Sequence, residues 1–174
     1  MAGIWTGNSG LRRAHAADLA AIMDMERQPG YELVVGQSTY AEHIRNISRP
    51  GQLYLVSDDD RGMPHAFAAL CGLGYRERDV LLKRLMVRTP GQGTGSQFLS
   101  AVMRAVFEGA PTERLFLRVL PDNERALKLY RKLGFHGERL LPSAGMRADG
   151  KRVDLLMMEV TREEWDLRNQ GLGA

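Results

Sequence analysis

The sequence is most informative at residues 82–95, which read Leu82-Lys83-Arg84-Leu85-Met86-Val87-Arg88-Thr89-Pro90-Gly91-Gln92-Gly93-Thr94-Gly95. This order predicts a strand, a loop with three glycines, and the start of a helix whose apolar face continues from Phe98 to Phe107. Glycines permit positive φ angles and close approach of the backbone to a ligand, and the free N–H groups of a first helical turn attract anions. The stretch therefore predicts a binding site for a pyrophosphate group.

Other kinds of segment carry similar glycines. A P-loop has Lys and then Ser or Thr after its last glycine, whereas Ser96 and Gln97 follow Gly95 here, so nucleoside triphosphate hydrolysis is disfavoured. A dinucleotide-binding loop follows the first strand of a parallel sheet, whereas about four predicted strands precede this one. For this segment alone, an ordinary strand-to-helix turn is as good an interpretation as an anion site.

The remaining periodicity predicts one α/β domain spanning residues 1–174, because no repeat or linker divides the chain. Strands are predicted at Leu11–Ala14, Leu53–Ser57, His65–Leu73, Val80–Val87, Leu115–Leu120, near Arg139 and at Val153–Val160. Helices are predicted from about Ala17, from a cap at Ser38 or Thr39 through Asn46, after the glycine loop, and from Asn123 to Gly134.

The second half carries the residues that decide the interpretation. Asn123 opens a helix with Ala126 and Tyr130, and Gly134-Phe135 closes it. Together with the glycine loop, this order resembles the acetyl-CoA-binding core of the GNAT superfamily of N-acetyltransferases, over a core of about residues 11–165. The end of the chain is similar to the branch with ribosomal-protein N-terminal and polyamine acetyltransferases. The resemblance implies a mixed, mainly antiparallel sheet flanked by helices, splayed after Val87 to admit acetyl-CoA beside Leu115–Leu120.

The resemblance also implies roles for individual residues. The backbone of Leu85, Met86 and Val87 should pair with the pantetheine arm, with a Met86 or Val87 N–H polarising the thioester carbonyl. The loop should hold the pyrophosphate through Gly91, Gln92, Gly93, Thr94, Gly95 and Ser96. Asn123 should reach the pantetheine region or cap its helix, or do both. Tyr130 should protonate the departing thiolate, although a tyrosine on an apolar helical face is more often a core residue.

Two positions depart from the family pattern. Pro90 lacks the side chain and N–H that relatives supply there, and Leu81 occupies the slot where many relatives place a glutamate base. Asp79 would share the face of Leu81 and act through a water, and Glu32, His43 and Asp154 are further possibilities for the base. The substrate amine can also arrive neutral, with no base. These departures keep a catalytically silent acyl-CoA-binding module as the alternative.

The composition of the chain limits the classes of partner that it is expected to bind. Lys and Arg number 24 against 21 Asp and Glu, far from a nucleic-acid footprint even with Arg12, Arg13 and the Lys83-Arg84 pair. A single cysteine, no apolar run of membrane length and no metal spacing among the histidines predict a cytoplasmic protein without a membrane, disulfide or metal partner.

The acceptor is expected to be the primary amine of a small molecule or a protein N-terminus, in a pocket shaped by segments 26–37 and 140–153. Glu26, Tyr31 and Glu32 hint at a cationic ligand, although acidic loop residues are usually just solvated. Homodimers are common in the family that the chain resembles, so a homodimer is also an expected assembly.

Overall fold

The computed structural model describes residues 10–31, 36–76, 78–147 and 150–170, and it contains one seven-stranded sheet. The strands are β1 Leu11–Arg13, β2 Gln52–Asp58, β3 Pro64–Cys71, β4 Asp79–Val87, β5 Arg114–Val119, β6 His136–Met146 and β7 Arg152–Thr161. Their order across the sheet is β1-β2-β3-β4-β5-β7-β6, and each neighbouring pair is antiparallel except β4 and β5. The prediction of an α/β fold with a mixed, mainly antiparallel sheet is confirmed.

Five helices cover the two faces: α1 Leu19–Glu26, α2 Tyr40–Ile47, α3 Thr94–Gly109, α4 Glu124–Lys132 and α5 Arg162–Gln170. On one face, α1 and α2 pack on a smaller core cluster that includes Ile22 and Phe67. On the other face, α3 and α4 pack on a larger cluster that includes Leu99, Leu117 and Leu127. Alternating side chains of the central strands feed both clusters, as expected for a sheet that is buried on two sides.

The sheet opens between β4 and β5. The two parallel strands pair only from Asp79 opposite Arg114 to Leu82 opposite Leu117. On its other edge, β4 stays paired with β3 up to Val87, with one irregularity at which Lys83 is left without a partner residue. Such an extra residue is a β-bulge, which bends the strand that carries it. Beyond Leu82, the edge of β4 that faces β5 therefore carries no strand.

The last third of the chain departs from the predicted pattern. The strand predicted near Arg139 is eleven residues long, and its side chains are exposed or only partly buried, so it offers little alternation to detect. Helix α5 was not predicted. Its Trp165 stacks on Phe107 of α3 with ring centroids 5.3 Å apart, which fastens the C-terminal helix to the larger core cluster.

Candidate active site

The glycine loop lies at the end of β4 and leads into α3. Gly91 and Gly93 have φ angles of 94° and 78°, values that L side chains rarely adopt. A Cβ atom added at either glycine would find no heavy atom within 4 Å, so the backbone on this side is open to a ligand. Gly93 immediately precedes the first residue of α3, whose first-turn N–H groups point out of the helix end. The loop therefore has the open backbone on which the prediction of an anion site depends.

A cavity of about 550 Å³ begins at this loop and occupies the gap between β4 and β5. Its walls come from residues 82–87 of β4, 118–120 at the end of β5, and α4. Four of the predicted loop residues line it, namely Gly91, Gly93, Gly95 and Ser96, whereas Gln92 and Thr94 are not among the lining residues. The volume lies within the range of small-molecule and cofactor sites.

The open edge of β4 presents main-chain groups to the cavity. The N–H of Arg88 donates to the carbonyl of His65, which precedes Ala66 of β3, at 2.7 Å. N–H groups alternate between the two edges of a strand, so those of Leu85 and Val87 point toward the gap. Consistent with this direction, the Tyr31 hydroxyl donates to the carbonyl oxygen of Val87 at 3.3 Å. Leu85 and Val87 therefore offer the unpaired edge, and Met86 faces β3.

Tyr130 lines the same cavity from α4. Its ring packs against the larger core cluster and lies 5.7 Å from the ring of Phe135, centroid to centroid. Burial, with a smaller contribution from Tyr31, raises the pKa of Tyr130 to about 12. Within the described part of the chain, its hydroxyl has no hydrogen-bond partner. Tyr130 thus combines a packed ring with an unpaired hydroxyl that stays protonated at neutral pH.

Asn123 stands at the entrance of α4 and lines the cavity as well. Its Oδ1 accepts a hydrogen bond from the N–H of Ala126 at 3.2 Å, which makes it the N-cap of the helix. The cap uses the carbonyl oxygen of the side chain and leaves the amide nitrogen available. The capping role predicted for Asn123 is therefore present.

The base candidates that lie among the described residues, Asp79, His43 and Asp154, do not line the cavity. Asp79 is not among the lining residues, and its carboxylate pairs with Arg114, which also binds Glu159. Asp154 accepts a hydrogen bond from the N–H of Ser143 between β6 and β7. Glu32 lies outside the described residues. No described carboxylate lines the cavity, and the described residues contain no group of three side chains able to hold a metal.

His43 and Glu26 belong instead to a buried hydrogen-bonded relay behind β4. His43 Nε2 lies 3.2 Å from Glu26 Oε2, and His43 Nδ1 lies 3.1 Å from the Tyr54 hydroxyl. The other carboxylate oxygen of Glu26 accepts a hydrogen bond from Arg84, whose second terminal nitrogen donates to Ser38 Oγ at 3.0 Å. Glu26 is not a loop residue but ends α1.

Electrostatics explain why Glu26 stays ionised although its side chain is fully buried. Burial alone would raise the pKa of Glu26, but hydrogen bonds from His43 and from the Ser38 N–H, together with the charge of Arg84, lower it below its ordinary value of 4.5. With these partners, Glu26 has no surface left for a ligand. The hint that Glu26 meets a cationic ligand was wrong.

The two segments expected to shape the acceptor pocket have different outcomes. Tyr31 and Gly36 of segment 26–37 line the cavity. No described residue of segment 140–153 does so, because β6 and β7 carry it along the far edge of the sheet, and only Leu155 of β7 reaches the wall. Sequence reasoning overlooked Arg84 as a wall residue, although a charge inside the apolar run from Leu82 to Val87 was a usable signal.

Residues 9–136, well over half of the chain, match the family model described as the acetyltransferase (GNAT) domain. The chain belongs to the GNAT acetyltransferase family. As a member of this family, the GNAT chain is an N-acetyltransferase, and its sheet is splayed beside a glycine loop. The resemblance first seen at Gly93, Gly95 and Tyr130 is confirmed at the level of the family.

Solved structures with the same fold cover nearly the whole GNAT chain. Mutant forms of the spermidine/spermine N-acetyltransferase SpeG from Vibrio cholerae superpose with a TM-score of 0.78 at 17% identity, over 93% of this chain and 99% of theirs. The ribosomal-protein-S18-alanine N-acetyltransferase from Escherichia coli gives a TM-score of 0.71 at 20% identity, over 87% and 92%. A spermidine N-acetyltransferase from Vibrio cholerae, described as dodecameric, gives 0.74 at 18% identity, over 91% and 96%. At these identities the likeness is one of fold.

The structure also bears on the expectations about nucleic acid and membranes. Arg12, one of the residues weighed for nucleic acid, is held by Asp18 and Asp58 at 2.8 and 2.6 Å. None of the described helices is long and apolar enough to cross a membrane.

Proposed function

We propose that the cavity between β4 and β5 binds acetyl-CoA and that the enzyme transfers its acetyl group directly to a primary amine, with Tyr130 as the acid. The observation that carries the proposal is the unpaired hydroxyl of Tyr130 in the cavity wall, beside the open edge of β4. The cavity has room for an extended ligand, the glycine loop for its phosphates, and the strand edge for its amide groups.

Each main-chain group has a role in this proposal. The N–H groups of the first turn of α3 and the open backbone at Gly91 and Gly93 would hold the pyrophosphate. Leu85 and Val87 would pair with the pantetheine arm as an added strand. The direction of the N–H groups favours Leu85 and Val87 over Met86 as donors to the thioester carbonyl, and Leu85 lies nearer the acyl end of a ligand whose phosphates are at the loop. Asn123 would contribute its amide nitrogen while it caps α4.

The chemistry needs one proton donor and no metal. A neutral amine nitrogen attacks the thioester carbonyl carbon, the carbon–sulfur bond breaks, and Tyr130 gives its proton to the departing sulfur. The nitrogen releases its surplus proton to solvent, from which Tyr130 is reprotonated. No described carboxylate in the cavity wall competes for the role of base, which supports an amine that arrives neutral. Leu81, at the position where many relatives place a glutamate base, has no group that could accept a proton.

Two measurements on the purified protein test the proposal. Acetyl-CoA at about 100 times its Kd should stabilise the fold by about 2.7 kcal/mol, since it binds only the folded state. For a domain of this size we expect the Tm to rise by about 5–10 °C. No shift at millimolar acetyl-CoA would contradict the proposal. Release of free thiol in the presence of an amine panel then distinguishes an enzyme from a silent module, which would give the shift without thiol.

A further inference from the structure

The walls of the cavity carry charge of only one sign in the described part of the chain. Its six charged lining residues are all basic: Lys83, Arg84, Arg118, Arg125, Lys128 and Lys132. Three of them lie along α4, the helix that Asn123 caps. The other three lie on β4 and β5 at the point where the strands separate. Two separate basic groups therefore line one cavity.

The basic group on the strands, which we call the vertex cations, consists of Lys83, Arg84 and Arg118. The glycine loop follows Val87, so a ligand with phosphates at the loop runs back along β4 and brings its acyl end toward Arg84 and Lys83. The phosphates are thus at the opposite end of the strand from the vertex cations. These cations instead face the place where an acceptor must meet the acyl group.

Side-chain direction separates the vertex from the face covered by α3 and α4. Leu117 and Val119 both point into the larger core cluster, so Arg118 between them leaves the sheet on the opposite face. Arg84 points to that same opposite face, because its partner Glu26 is on α1. Lys83 and Arg118 are exposed and have no acidic partner among the described residues. Lys83 and Arg118 therefore carry positive charge that is not locally neutralised, whereas the charge of Arg84 is paired with Glu26.

The side chain of Arg84 is mostly buried and is held in one position by its hydrogen-bond partners. Its side chain is only 13% exposed, and its guanidinium is anchored on the Glu26 carboxylate and on Ser38 Oγ. Glu26 is held in turn by His43, and His43 by Tyr54, so the chain of hydrogen bonds runs from the smaller core cluster to the cavity wall. A guanidinium has five N–H donors, and these two contacts leave others for the cavity. Such a fixed fork matches a carboxylate.

We propose that the acceptor is a primary amine that also carries a carboxylate, and that Arg84, Arg118 and Lys83 bind this carboxylate. The inference rests on the proposed function, because it names the acceptor class of the same cavity. A polycationic acceptor would meet the unpaired charges of Lys83 and Arg118, and the Glu26 carboxylate cannot bind it because it is buried and paired with Arg84. An amino acid and an acidic peptide N-terminus share the required chemistry.

The test uses matched acceptors with acetyl-CoA and records free thiol release. The panel contains each amino acid as the free acid and as the amide, dipeptide amides beginning with Asp or Asn, and spermidine. We expect the best carboxylate-bearing acceptor to exceed its neutral partner in kcat/KM by about 10-fold or more, the scale of one charge-assisted hydrogen bond. If free amino acids are the better acceptors, the acceptor is a small molecule. If dipeptide amides that begin with Asp are better, it is a peptide N-terminus.

Variants then test the residues. Lys83→Ala and Arg118→Ala remove exposed side chains and should raise KM for the carboxylate-bearing acceptor by about 10-fold while changing kcat/KM for its neutral partner less than about 3-fold. Arg84→Met should do the same if it folds. Arg104→Ala on α3 is the matched control, because Arg104 is exposed and does not line the cavity.

Three outcomes would overturn the inference. The first is a neutral amide or spermidine used as well as the carboxylate-bearing acceptor, and the second is a loss that is equal for both members of a pair in the variants. The third is acetyl-CoA binding without turnover of any panel member. Absence of acetyl-CoA binding would instead refute the proposed function itself, so the two failures are distinguishable.

Discussion

Replacing Tyr130 with Phe tests the proposed acid, because the substitution keeps the ring and deletes only the hydroxyl. The ring packs on the larger core cluster and near Phe135, and these contacts survive in the variant. The lost hydroxyl has no partner among the described residues, so the free energy of unfolding should change by at most about 1 kcal/mol. Stability and acetyl-CoA affinity should therefore stay close to those of the wild type.

The magnitude of the catalytic loss follows from the acidity of the group. The pKa of Tyr130 is raised to about 12, whereas an ordinary thiol has a pKa of about 8.5. Complete proton transfer to a solvated thiolate would be uphill by about 3.5 pKa units, or about 5 kcal/mol. The cavity must therefore desolvate the sulfur too and raise its proton affinity. A donor matched in this way contributes about 100-fold or more to turnover, which is the loss we expect in Tyr130→Phe.

The assay is thiol release from saturating acetyl-CoA with an amine that the wild type demonstrably acetylates. Tyr40→Phe is the control, because it deletes the same hydroxyl from an exposed tyrosine that does not line the cavity. The wild-type rate should not fall through titration of Tyr130 between pH 7 and about 10, since the raised pKa of Tyr130 keeps the phenol protonated there. Near-wild-type kcat in Tyr130→Phe, with chemistry shown to be rate-limiting, would refute the assignment.

Three further predictions concern the loop, the relay and the cap. Gly93→Val should abolish the acetyl-CoA-induced Tm shift, whereas Gly62→Val, at a φ of 72° in a turn that does not line the cavity, should keep it; a normal shift in folded Gly93→Val would mean that the loop does not hold the phosphates. Glu26→Gln should lower the free energy of unfolding by about 3 kcal/mol in urea titrations at pH 7, because it leaves Arg84 without its buried partner. The pKa of Glu26 is lowered by folding, so its stabilisation is present above pH about 4.5 and is lost as the pH falls through the folded-state pKa; equal acid sensitivity in wild type and Glu26→Gln would contradict this linkage. Asn123→Ala should destabilise the protein by about 1 kcal/mol through loss of the α4 cap, and an additional rise in the Kd of acetyl-CoA, which Asn123→Asp would not rescue, would reveal a ligand contact by the amide nitrogen.

The sequence predicted those features that depend on neighbouring residues. Gly91, Gly93 and Gly95 lie in the loop and the first turn of α3, and Tyr130 lies in the helix that Asn123 caps, so their spacing alone indicates a strand, a loop and a helix around an anion. Alternation in the buried central strands likewise allowed the meander from β2 to β4 to be predicted. Strand β6 was underestimated because its exposed side chains give no alternation.

The relay behind β4 could not be predicted from the sequence. Glu26, His43 and Arg84 are far apart along the chain, and each is ordinary in its local context. They meet only because α1 and α2 pack on the same face of β4. The packing of α1 and α2 on β4 buries the Glu26 carboxylate and pairs it with Arg84, so the carboxylate cannot bind a cationic ligand. No local pattern in the sequence indicates either effect.

Lys83, which has no partner residue in β3, shifts the alternation of side chains along β4 by one residue. Val80 and Leu82 contact the larger core cluster before it, and Leu85 and Val87 contact the same cluster after it, so the two-residue rhythm is offset by one. A single-codon deletion at Lys83 would restore an uninterrupted rhythm, because Arg84 would then follow Leu82 directly on the opposite face. Leu85 and Val87 would still face the cluster, so the deletion would remove the bend that the bulge gives β4 and leave both faces of the strand as they are. A protein engineer could thus straighten β4 by shortening it at this one position without exposing its apolar side chains.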